Sequence, residues 1–95
     1  MEVIIMKKAN IERIIAKLEN IGICLNDELD RIENNGHSSG MYNKNDLQRI
    51  IDYAGSTIRT TKNIDNKTAV AHIQYLCVYV ASASKQIIEV IDKEV

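Results

Sequence analysis

Residues 70–91, VAHIQYLCVYVASASKQIIEVI, decide the fold of this chain. Along this stretch apolar side chains and one serine recur at alternating spacings of three and four residues, the spacing of one face of an α-helix. A second apolar row at the same period runs beside the first. The pattern predicts a long helix over residues 66–93. Its main row consists of Val70, Ile73, Cys77, Val80, Ser84, Ile87 and Ile91.

A seven-residue repeat of Ile and Leu in the first third of the chain predicts another long helix, over residues 3–34. Gly22 interrupts it, and glycine in a helix interior costs about 1 kcal/mol relative to alanine. Because the phase of the repeat continues across Gly22, we favour one helix over two. The repeat consists of Ile4, Ile11, Leu18, Leu25 and Ile32.

A shorter helix is predicted over residues 45–62, after a loop rich in Asn, Gly and Ser. Asn45 followed by Gln48 resembles a capping box. The Asn and Gly residues at 34–36 suit a left-handed cap at the end of the first helix. Short connections join neighbouring antiparallel helices. We therefore expect an all-α fold in a single domain of residues 1–95, an antiparallel three-helix up-down-up bundle. It has four helices if the first one breaks at Gly22.

Composition excludes several classes of protein. The 12 basic residues nearly balance the 13 acidic ones, so nucleic acid is not the default partner. Cys24 and Cys77 stand among apolar residues, which favours buried free thiols in a reducing cytosol, although a Cys24–Cys77 bond stays open if their helices pack together. The apolar run near the start is too short for a signal peptide, and residues 69–83 are too short and too polar to span a bilayer. These features predict a cytoplasmic protein that does not insert into membranes.

Few residues could carry catalysis. His37 lies in the glycine- and serine-rich loop, and His72 lies on a helix without a carboxylate three or four residues away. The motifs of zinc sites, phosphate-binding loops and redox cysteines are absent from the sequence. We therefore expect no enzyme activity, no metal and no cofactor.

One short pattern suggests an alternative. Arg31 and His37 are separated by five residues, which is similar to the Arg-x(4–6)-His motif of HEPN-type helical ribonucleases. The resemblance implies that Arg31 would stabilise the phosphate and His37 would act on the ribose 2′-hydroxyl. The sequence departs from the family at Ile32, because that family usually has a polar residue directly after the Arg.

The charge of the first helix is unevenly distributed. Basic residues dominate its beginning and acidic residues its end, although a helix C-terminus favours cations. An acidic cluster at the disfavoured end is typical of a surface that binds a basic partner. An ordinary solvated face with an Asp27–Arg31 ion pair at i,i+4 is the alternative. The predicted contact residues of this cluster are Asp27, Glu28, Asp30 and Glu33.

Tyr75 and Tyr79 form a second candidate surface, because they lie off the main apolar row of the last helix. Tyrosine is common at interfaces, where it provides contact area together with a polar tip. The alternative is that both rings cover the edge of the core and leave their hydroxyls in water.

Together these features favour a small, non-catalytic protein-binding protein. In outline the chain resembles small helical immunity proteins. The resemblance implies an immunity protein or antitoxin that neutralises a basic bacterial toxin, such as a nuclease, through an acidic surface. A homo-oligomeric structural or adaptor module is the second hypothesis, since the middle helix is too short to cover both long ones and a homodimer would complete their cores.

Overall fold

A computed structural model describes residues 6–94, and all regular structure within that range is helical. Helix α1 spans Lys8–Asn35, α2 spans Lys44–Thr60 and α3 spans Lys67–Lys93, with a 3₁₀ turn at Thr61–Asn63 before α3. The all-α class is therefore confirmed.

The predicted helix boundaries need small corrections. Those at 45–62 and 66–93 differ from α2 and α3 by at most two residues. The first helix was placed over 3–34, but Met6 and Lys7 are not helical and α1 begins at Lys8. Residues 3–5 lie outside the described range.

Helix α1 runs through Gly22 without a break, so the four-helix alternative is wrong. Leu18 and Leu25, one turn away on either side, are both fully buried against α3, which keeps the helix in one phase across the glycine. Gly22 itself is buried, and a Cβ added there would lie 3.4 Å from Cε1 of Tyr79. The small residue therefore allows a close approach of α3 and does not end the helix.

Local capping determines where α1 ends and where α2 begins. Gly36 adopts a φ of 79°, and its N–H donates to the Ile32 carbonyl at 2.7 Å, as the left-handed cap prediction required. The predicted capping box at Asn45 and Gln48 is wrong. The Asn43 side chain instead accepts from the backbone N–H of Asp46 at 2.8 Å, and the Asp46 carboxylate accepts from the backbone N–H of Asn43. Asn43 and Asn45 each precede a possible capping partner by three positions, Asp46 and Gln48 respectively. The helix begins directly after Asn43.

Helix α3 lies at the centre and packs against both α1 and α2. Backbone contact between α1 and α2 is absent in the described part of the chain, although the Lys17 ammonium lies 4.2 Å from the centre of the Tyr53 ring. Near the start of α3, the Met6 N–H donates to the Asn63 carbonyl at 2.9 Å. The molecule is elongated, with extents of 50 × 22 × 16 Å.

The core follows the main row of α3 closely. Each fully buried Leu or Ile contributes roughly 1.5–3 kcal/mol to folding. Helix α3 supplies six of the eleven buried apolar residues in the described range. The buried apolar residues are Leu18, Leu25, Leu47, Ala54, Ile64, Ile73, Leu76, Cys77, Val80, Ala83 and Ile87.

The two cysteines differ. Cys77 is buried on α3, and burial raises the pKa of its thiol. Cys24 is exposed, so the expectation that both thiols are buried was wrong for this one. The buried face of α1 passes through Gly22 and Leu25 and leaves Cys24 outside it. Both are free thiols, so the possible Cys24–Cys77 bond is not formed. Among the described residues, no helix combines the length and apolar character needed to cross a membrane.

Candidate functional site

An open groove of about 440 Å³ runs between α1 and α3. It contains residues from both surfaces that the sequence predicted separately, because Asp27 comes from α1 and the two tyrosines come from α3. Its lining residues are Glu19, Gly22, Ile23, Asn26, Asp27, Tyr75, Leu76 and Tyr79.

The base of the groove depends on Gly22. Cε1 and Cδ1 of Tyr79 lie 3.4 and 3.5 Å from the position of a Cβ at Gly22, so the tyrosine ring rests against the backbone of α1. The Tyr79 hydroxyl donates to Oδ1 of Asn26 at 3.2 Å, one turn farther along α1. This hydrogen bond orients the ring across the two helices and leaves room beside it.

Two large apolar side chains at the groove are exposed to solvent. Ile23 is 62% exposed on the α1 side, and Tyr75 is 69% exposed on the α3 side. Single exposed apolar residues are ordinary, but adjoining ones in a concave site are typical of a binding surface. A ligand side chain placed between Ile23 and Tyr75 would remove apolar surface of both from water.

The rim of the groove is acidic. Glu19 and Asp27 are eight residues apart on α1, which corresponds to about 12 Å along the helix. Within residues 6–94 neither carboxylate is in an ion pair. The i,i+4 pair of Asp27 with Arg31 is not formed, because Nη1 of Arg31 approaches Sδ of Met41 at 3.9 Å instead. The negative charge of the rim is therefore available to a ligand.

Asp30 and Glu33 are exposed on the following turns of α1, but they do not line the groove. They extend the acidic surface beyond the end of the groove.

Glu28 does not belong to this accessible surface, and its prediction as a contact residue needs correction. Its side chain is 0% exposed. One carboxylate oxygen, Oε2, accepts from the Ser39 hydroxyl at 2.9 Å and from the Ser39 N–H at 3.2 Å. Buried carboxylates require such donors. Glu28 therefore fastens the loop between α1 and α2 and cannot meet a partner in this conformation.

A second carboxylate fastens the same loop from α3. Glu94 accepts from the hydroxyl of Ser38 at 2.7 Å and also from the Ser38 N–H. These hydrogen bonds, with His37 nearby, hold the pKa of Glu94 below its ordinary value. Beside the loop, burial raises the pKa of Tyr42, with smaller contributions from Cys24 and Glu28. The Ser38–Ser39 pair is thus held between two helices.

The residues of the alternative nuclease motif have other partners. Arg31 contacts Met41, and Nδ1 of His37 lies 2.9 Å from the Ser38 carbonyl. His72 is exposed on α3. No group of three metal-ligating side chains occurs among residues 6–94.

Comparison with family models, with curated proteins and with solved structures finds no match to this chain.

Sequence reasoning identified Asp27 and the two tyrosines but missed Glu19, Ile23 and the role of Gly22. A usable signal was present, since Glu19, Ile23 and Asp27 are each separated by four residues and share one side of α1. Glu28 also carried a signal, because it follows the core residue Leu25 by three positions.

Proposed function

We propose that this chain is a non-catalytic protein-binding protein whose groove between α1 and α3 receives a basic segment of a partner. An immunity protein or antitoxin that neutralises a basic bacterial toxin, such as a nuclease, in the cytoplasm would act in this way. The observation that carries the proposal is the groove itself, where carboxylates without an ion pair among residues 6–94 border exposed apolar side chains.

Each part of the groove has a separate role in this function. The carboxylates of Glu19 and Asp27 attract a basic segment and orient it, since charge complementarity mainly sets association rate and specificity. Ile23 and Tyr75 supply apolar area that a partner covers, and buried aromatic anchors carry much of the energy of protein interfaces. Tyr79, held by Asn26, keeps the groove open.

The proposal includes an up-down-up arrangement of the helices. It is supported by contacts along α3, where Gly22 of α1 lies beside Tyr79. The beginning of α2 lies beside the end of α3, since Nζ of Lys44 is 2.6 Å from Oδ1 of Asp92. In such a bundle α1 and α3 are parallel neighbours, and the groove is the seam between them.

The test is a capture experiment from the source cell with the tagged chain, at low and at high salt, read by mass spectrometry. We expect a basic protein that the wild type retains at low salt and releases at high salt. The double variant Glu19→Lys/Asp27→Lys should lose it.

The matched control is Glu12→Lys/Asp52→Lys, which reverses two exposed charges outside the groove. It should retain the same protein as the wild type. Equal retention by both double variants, or equal loss from both, would refute the groove as the binding site.

A further inference from the structure

One side of α3 is left uncovered by both neighbouring helices. This open face centres on Val78, which is 63% exposed although it lies in the middle of the most apolar helix. At 100° per residue, four further exposed residues fall within about 20° of Val78 around the helix. These are Lys67, Ala71, Lys85 and Glu89.

The exposed apolar surface continues to either side of Val78. Tyr75, one turn earlier, faces Ile23 of α1 across the first groove. On the other side, a second groove contains Val78 together with Ile58 of α2, which is 36% exposed. An apolar band therefore crosses all three helices at one level. Contiguous exposed apolar surface of this kind marks an interaction site.

The charges at the two ends of the open face are complementary to each other. Lys67 precedes Val78 by eleven residues and Glu89 follows it by eleven. A second copy turned about a two-fold axis at Val78 would set Lys67 of one copy opposite Glu89 of the other, and the reverse. Neither residue makes an ion pair within the described range. The face is therefore self-complementary, as an isologous dimer contact requires.

We propose that the open face of α3 is the contact of a symmetric homodimer in which two α3 helices cross antiparallel at Val78. This inference does not depend on the basic partner proposed above. Tyr75 belongs to both surfaces, so a partner in the groove and a second copy on α3 compete for it.

The first test is the mass of the untagged chain by sedimentation equilibrium over a range of micromolar concentrations. We expect twice the chain mass at the upper end. A monomer mass throughout the range would overturn the proposal.

The second test exchanges the paired charges. Lys67→Glu and Glu89→Lys should each raise the dimer dissociation constant about tenfold, because each creates two like-charge contacts. The double variant should return to within about threefold of the wild type. Both changes suit the helix dipole, with an anion near the start of α3 and a cation near its end, so the fold is retained. A double variant as weak as the single ones would overturn the antiparallel pairing.

The third test locates the axis by cross-linking in a Cys24→Ser background, which removes the exposed native thiol. Val78→Cys lies on the proposed axis and should form a disulfide-linked dimer under mild oxidation. Ser82→Cys, which is also exposed on this side of α3, is the control. Its two copies would lie about 12 Å apart along the helices, so it should remain monomeric on a non-reducing gel. Cross-linking of Ser82→Cys without Val78→Cys would place the axis elsewhere.

Discussion

The groove and the loop contact at Glu28 lie side by side on α1 but use acidic residues in opposite ways. Asp27 borders the groove, faces water and has no ion pair within residues 6–94. Glu28, the next residue, is 0% exposed and is hydrogen-bonded to Ser39. A rotation of 100° around the helix separates a carboxylate available for binding from one that stabilises the fold.

This difference shows that a cluster of like charges in a sequence is not one functional unit. The net charge of the segment cannot reveal which members reach solvent. Neighbouring positions on a helix face different surroundings, and the packing of α3 and the loop determines which positions are exposed to solvent. Substitutions in the groove and at the loop contact therefore test whether one region serves binding and the other stability.

The largest effect is expected at Glu28. Glu28→Ala should lower the free energy of unfolding by about 2–4 kcal/mol, since it leaves a cavity at a fully buried position and releases the loop from α1. Asp27→Ala is the matched control and should change stability by no more than about 0.5 kcal/mol. Urea unfolding followed by circular dichroism measures both, and equal losses would contradict the division between the two regions.

Gly22→Leu should act on the groove side, with a loss of about 1–3 kcal/mol from overpacking. A leucine there would displace the Tyr79 ring and fill the groove. Gly22→Ala makes a useful contrast, because its Cβ would sit at ordinary contact distance from Tyr79. It should stabilise the protein by about 0.5–1 kcal/mol through helix propensity. Thermal unfolding compares the two, and a destabilising alanine would show that the α1–α3 seam is tighter than described.

Tyr79→Phe should have a smaller effect. It removes the hydrogen bond to Asn26 at 3.2 Å and keeps the ring, so the cost should be about 0.5–1 kcal/mol. Asn26→Ala should cost a similar amount, and the double variant should cost little more than either single one. Additive losses in this double-mutant cycle, measured by urea unfolding, would mean that the two side chains act independently.

The smallest effect concerns pH and the outer end of the loop. Because the pKa of Glu94 is lowered in the folded chain by its hydrogen bonds to Ser38, its contribution is present above the ordinary glutamate pKa and is lost as pH falls through the lowered value. We expect the protection of the Ser38 amide, its exchange rate relative to that of an unstructured peptide at the same pH, to fall as pH drops through the lowered pKa of Glu94. Amide hydrogen exchange read by NMR measures this effect. In Glu94→Gln the acid-dependent step should disappear.

Three residues of the groove could be predicted from the sequence, but its full set of lining residues could not. Asp27, Tyr75 and Tyr79 were identified from charge and from helical position, which are local properties. Ile23 was missed because its exposure depends on how α3 lies against α1. Cys24 was predicted to be buried from its apolar neighbours, yet it lies outside the packed face.

The sequence by itself determined that the chain is helical and approximately where its three helices lie. Helical period, the glycine cap at Gly36 and the asparagine cap at Asn66 act within a few residues. Helical position already placed Glu28 on the side of Leu25, but only the tertiary structure decided that the loop covers Glu28, that Asp27 stays exposed, and that Gly22 lies against Tyr79. These outcomes depend on which surfaces meet across α1, α3 and the loop. These contacts join residues that are far apart in the chain, and a local sequence pattern does not specify them.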